Sequence, residues 1–84
     1  MEFTIDCASI GGPREFHAVL ADTLNFPEWY GSNLDALHDC LTALTRDTRL
    51  LFHNWDAVAG FAPGFRRVLT DAARENPKLT VVFA

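Results

Sequence analysis

The sequence has no lysine or arginine anywhere between Glu15 and Thr45. A nucleic-acid-binding surface across that stretch is therefore excluded, because such surfaces need cations against phosphate. Two cysteines, Cys7 and Cys40, stand outside any C-x-x-C pair. No apolar run approaches the ~20 residues that a membrane-spanning helix needs. The first residues, "MEFTIDC", carry an acid and no base. They lack the basic start and apolar stretch of a secretory signal. The expectation is a cytoplasmic protein with two free thiols, since disulfides are rare in reducing compartments.

Motifs for small-molecule chemistry are absent too. There is no P-loop, no G-x-G-x-x-G, no G-x-S-x-G and no H-x-x-x-H pair among His17, His38 and His53. No cofactor and no metal are expected. His38, Asp39 and Cys40 are adjacent, and on a helix adjacent side chains point in different directions. A thiol nucleophile needs its base within hydrogen-bond reach, and nothing in the sequence brings His17 or His53 to Cys40. The chain reads as a non-enzyme; a small enzyme using Cys40 is the disfavoured alternative.

The 84 residues are 49% hydrophobic and 21% charged, without repeats, linkers or low-complexity tracts. That suits one domain, residues 1–84, with one core. "EFTID" alternates apolar and polar residues as a short strand does. Pro13 fits the first turn of a helix. Phe16, Val19, Leu20 and Leu24 carry helical spacing to about Leu24. "NFPEWYGS" is a loop, and Asn33 is an N-cap for a second helix. Leu34, Leu37, Leu41 and Leu44 mark that helix's apolar face. "TRDTR" reads as a loop and "LLFHN" as a buried strand, while "WDAVAGFAPG" holds a turn or short helix. A third helix runs from about Pro63 to Glu75, stopped by Asn76 and Pro77. "LTVVFA" is a strand whose apolar run suggests a central position. Helical connections between strands imply parallel pairing. The fold class is therefore α/β: a three-stranded parallel sheet flanked by helices.

The net charge of −4 is unevenly spread. The base-free window holds Glu15, Asp22, Glu28, Asp35 and Asp39. Asp35 and Asp39 lie one turn apart, where like charges repel by roughly 0.2–0.5 kcal/mol. A merely solvated acidic face is the plain reading of the charge alone. A binding face for a cationic protein is the other, since carboxylates take bidentate contacts from arginine. Trp29 and Tyr30 just upstream are frequent interface anchors, although one of the two is expected to be packing.

The segment "LNFPEWYGSNLDALHDCLT" closely resembles the barstar-like family of intracellular ribonuclease inhibitors. Its pattern P-x-x-Y-G-x-N-L-D-A-L-x-D-C-L-T is matched from Pro27 to Thr42. The resemblance implies stoichiometric inhibition of a secreted, basic, guanyl-specific ribonuclease, by a monomer forming a 1:1 heterodimer. It implies no direct contact with nucleic acid or membrane. Asp39 would enter the nuclease's phosphate pocket, Asp35 would support it and Trp29 would pack beside it. Asp71 would add an acid from the last helix. Tyr30, Gly31, Asn33, His38 and Thr42 complete the implied partner-binding set. The chain departs from the family at His38, where the family has tryptophan, at Ser32, where it has an acid, and at Pro77, where it has a cysteine. A non-inhibitory protein-binding module of the same fold is the alternative.

Overall fold

The structure is a computed structural model describing residues 1–84. Strand β1 (Glu2–Asp6) leads through a short 3-10 turn into helix α1 (Pro13–Leu24). Helix α2 (Leu34–Thr42) precedes strand β2 (Thr48–His53). A second 3-10 turn, Trp55–Val58, leads to helix α3 (Pro63–Glu75) and strand β3 (Leu79–Phe83). The three strands pair in parallel in the order β1-β2-β3, with Ile5 opposite Phe52 and Phe52 opposite Phe83. The three-stranded parallel sheet and its helices agree with the expected α/β class.

Helix limits follow local chemistry. Glu15 reaches back to accept the Gly11 N–H at 3.1 Å, which steadies the start of α1. Asn25 ends α1 in the left-handed region, φ 55°, where asparagine is better tolerated than most residues. Its N–H and that of Phe26 both donate to the Ala21 carbonyl, so the helix end is not left unpaired.

Two expectations are corrected. β3 is an edge strand, paired only with β2, and β2 is the central one. The apolar run of β3 has another cause. Phe83 stacks on Phe52 at 5.7 Å and meets Trp55 edge-on at 4.6 Å. The Arg66 guanidinium lies 4.4 Å from the Phe83 ring centre. An edge strand covered this way favours apolar residues without being central. The loop read as "TRDTR" is also shorter than expected, because Thr48 and Arg49 already pair in the sheet.

One core joins the layers. Phe16 of α1 stacks on Phe65 of α3 at 4.4 Å and packs near Phe52 of β2. Leu20, Leu37, Leu41, Leu50 and Leu69 are fully buried around them. Helices α2 and α3 approach closely: a methyl group on Gly64 would come within 2.8 Å of the Leu34 side chain. Glycine there lets the start of α3 sit against the start of α2. That close packing places the acids of α3 beside the exposed side of α2.

Candidate functional site

The loop from Phe26 to Asn33 runs directly into helix α2. Asn33 caps α2, its Oδ1 accepting the Ala36 N–H at 2.8 Å. Gly31 makes room for that cap, because a Cβ there would lie 2.9 Å from the Asn33 amide nitrogen. Ser32 between them takes the left-handed conformation, φ 51°. The loop therefore turns sharply onto the helix. Asn33→Ala should cost about 1 kcal/mol of stability, the usual loss on removing a side-chain N-cap. Denaturant unfolding measures it; an unchanged midpoint would show that the cap contributes nothing.

The two aromatics of this loop divide their roles. Tyr30 packs against Phe26, and its hydroxyl hydrogen-bonds Nδ1 of His17 on α1. Burial, and secondarily the Cys40 charge, pushes the Tyr30 pKa up to about 12. Burial also lowers the pKa of His17 and so favours its neutral form. This half-buried pair ties the loop to α1. Trp29 has no such role: it is 72% exposed, a large apolar side chain open to solvent.

Asp35 and Asp39 are both exposed on α2. The molecule's ion pairs are His38–Glu75, Arg49–Glu2, Arg74–Asp71 and Lys78–Asp47, and neither Asp35 nor Asp39 joins any of them. Asp35 lies in the first turn, where the helix dipole favours an acid. Asp39 lies a turn further on and gains less from it. Thr42 donates its hydroxyl back to the His38 and Asp39 carbonyls, at 2.9 and 3.2 Å. Its side chain is thus partly engaged within its own helix.

Helix α3 supplies the other side of the face. Asp71 is partly exposed, with Arg74 3.8 Å away as its only ion-pair partner. Glu75 accepts a hydrogen bond from Nε2 of His38 at 2.6 Å, joining α2 to α3. That hydrogen bond raises the His38 pKa above its ordinary value, against a smaller opposing effect of desolvation. The charges of Glu75, Asp39 and Asp71 raise it further. His38 is therefore ringed by acids from both helices.

Sequence reasoning named Trp29, Tyr30, Gly31, Asn33, Asp35, His38, Asp39, Thr42 and Asp71. All but Asp71 lie along the loop and α2, and Asp71 faces His38 from α3. Three supporting residues were missed. His17 had a signal: it shares the apolar face of α1 with Leu20 and Leu24. Glu75 had none, because its contact spans 37 residues. Asn76 was read only as a helix stop, yet its side-chain amide donates to the carbonyls of Leu41 and Leu44 at 3.0 and 3.1 Å.

Cys7 and Cys40 are free and buried. Burial first, and a neighbouring aspartate second, raises both thiol pKa values, the opposite of an activated nucleophile. No helix is long and apolar enough to cross a membrane. What the surface offers a partner is unpaired carboxylates on α2 and an exposed indole on the loop before it.

Comparison with known proteins bears on this face. The model of the family described as Barstar (barnase inhibitor) matches residues 1–84. A protein of Bacillus subtilis (strain 168) named "Putative ribonuclease inhibitor YrdF" is 65% identical over 26 residues. That similarity covers 31% of this chain and 29% of that protein's length.

Proposed function

We propose that this chain, which belongs to the Barstar (barnase inhibitor) family, is a proteinaceous ribonuclease inhibitor acting by steric and electrostatic blockade. Its target is a basic, guanyl-specific ribonuclease that the cell secretes, held as a 1:1 complex in the cytoplasm before export. Trp29, Asp35, Asp39 and Asp71 are the principal contacts. Gly31 and Asn33 shape the loop and start of α2 that present them, while Tyr30, His38 and Thr42 border the surface. The inhibitor performs no bond chemistry. It occupies the cleft where RNA phosphate would bind, with carboxylates in place of phosphate oxygens.

One observation carries this reading. Asp35 and Asp39 repel each other on one side of α2 and have no cation of their own. A base placed nearby would stabilise the free helix at little cost. Its absence makes sense if the counter-charges belong to a partner. The exposed Trp29, on the loop that leads into α2, adds apolar area for a central contact.

The experiment is a cleavage assay with a panel of basic guanyl-specific ribonucleases and the pure protein. Loss of RNA cleavage at one equivalent supports the proposal. Unchanged cleavage across the panel contradicts it, and binding without inhibition would favour a non-inhibitory module. The same pair gives a kinetic prediction. The association rate should fall steeply as salt rises from about 0.01 M to about 1 M, as the Debye length shortens from about 30 to about 3 Å. A salt-independent rate, followed by stopped-flow fluorescence, would remove electrostatic steering from the account.

A further inference from the structure

We propose that His38 is an exchangeable counter-ion of the acidic face: it holds Glu75 in the free protein and gives up that contact, with a proton, when a cationic partner docks. The inference rests on the ribonuclease-inhibitor reading and adds a proton linkage to it. The geometry is specific. His38 directly precedes Asp39, and its Nε2 reaches Glu75 Oε2 at 2.6 Å across the junction of α2 and α3. The His38 and Glu75 side chains are 34% and 56% exposed. The contact is thus open to a partner, and an exposed pair of this kind holds only weakly.

The charged surroundings set the direction. Glu75 and Asp71 act on His38 from α3, and Asp39 from its own helix. The one cation paired in this group, Arg74, lies beside Asp71. All three acids favour the imidazolium form in the free protein. A partner's guanidinium groups offer the carboxylates bidentate, charge-assisted contacts that an imidazolium cannot match. Once those groups neutralise Glu75 and Asp39, the imidazolium loses its stabilising charges and gains a cationic neighbour. Its pKa in the complex falls below its raised value in the free protein.

The sign follows from linkage. The complex binds fewer protons than the separated proteins, so affinity rises with pH between the bound-state and free-state pKa values of His38. It is level outside that window. Release of one proton gives a slope of up to about tenfold in affinity per pH unit.

The experiment compares the wild type, His38→Gln and Glu75→Gln against the inhibited ribonuclease from about pH 5 to pH 8. The ribonuclease's own titrating groups act on all three, so the difference between profiles is the readout. The wild-type affinity should gain on that of His38→Gln as pH rises, and Glu75→Gln should flatten the gain. Calorimetry in buffers of different ionisation heat should register a proton released by the wild type beyond that of His38→Gln. Identical pH profiles for wild type and His38→Gln overturn the proposal. A second arm needs no ribonuclease. The His38 ring resonance in NMR should titrate above about pH 6.5, and its midpoint should drop on saturation with a tetra-arginine peptide. An unmoved midpoint overturns the exchange. Failure to find any inhibited ribonuclease would count against the function reading and leave this arm to decide the linkage.

Discussion

Replacing Asp39 by alanine should weaken binding of the target ribonuclease by about 3–5 kcal/mol, the usual cost of removing one partner from a buried charge pair. That corresponds to a loss of roughly two to four orders of magnitude in affinity. The magnitude depends on what is left behind. Asp39 is exposed and unpaired in the free protein, so its removal disturbs little there. In the complex the cations it would have met remain buried without a counter-charge. Binding therefore suffers while folding does not. The variant should even be slightly more stable, by roughly 0.2–0.5 kcal/mol, because the repulsion with Asp35 is gone. Binding calorimetry and denaturant unfolding, run on the same preparation, separate the two effects. A folded variant with undiminished inhibition would remove Asp39 from the interface.

Asn76→Ala should act in the opposite way, through the fold rather than through the partner. Asn76 is buried at the end of α3 and donates to the Leu41 and Leu44 carbonyls, at and just beyond the end of α2. Its Oδ1 also accepts the Lys78 N–H at 3.0 Å, which turns the chain towards β3. Alanine would leave the Leu44 carbonyl without this donor and the Leu41 carbonyl with a long 3.4 Å bond from the Leu44 N–H. A carbonyl left without its donor costs about 1–3 kcal/mol, so a loss of roughly 1–3 kcal/mol in stability is expected. That is a large share of the total for a domain of this size. Because Asn76 ties α2 to α3, amide exchange in the last turn of α2 should quicken as well. An unfolding midpoint within error of the wild type would show that water replaces these bonds without penalty.

How far the fold was legible can be judged from its elements. Helices α1 and α3 lie where Pro13, Pro63 and the apolar spacing placed them, since a first-turn proline and a 3.6-residue period act locally. Asn33 caps α2 as its type and position imply. The place of β3 was misread because an apolar run records cover on its faces, not its number of hydrogen-bonded neighbours. Phe83 obtains its cover from Phe52, Trp55 and Arg66, residues distant in the chain. The candidate site divides along the same line. Trp29, Asp35 and Asp39 could be named as candidates because they lie in one short, base-free segment with a family pattern. Of the two aromatics, Tyr30 is the one used for packing, through a partner on α1 that no local pattern names. The His38–Glu75 contact depends on how α2 meets α3. His38 itself departs from the family pattern, so the resemblance gave no guide to its partner.

The central claim is that the unneutralised face of α2 takes the place of RNA phosphate in a ribonuclease cleft. Competition measures this most directly: the apparent affinity of the protein for its target ribonuclease, determined at increasing concentrations of a guanosine mononucleotide. The account predicts an apparent dissociation constant that rises linearly with nucleotide, as two ligands sharing one cleft require. An apparent dissociation constant that stays level while the nucleotide saturates its site would place the inhibitor elsewhere on the enzyme and contradict it.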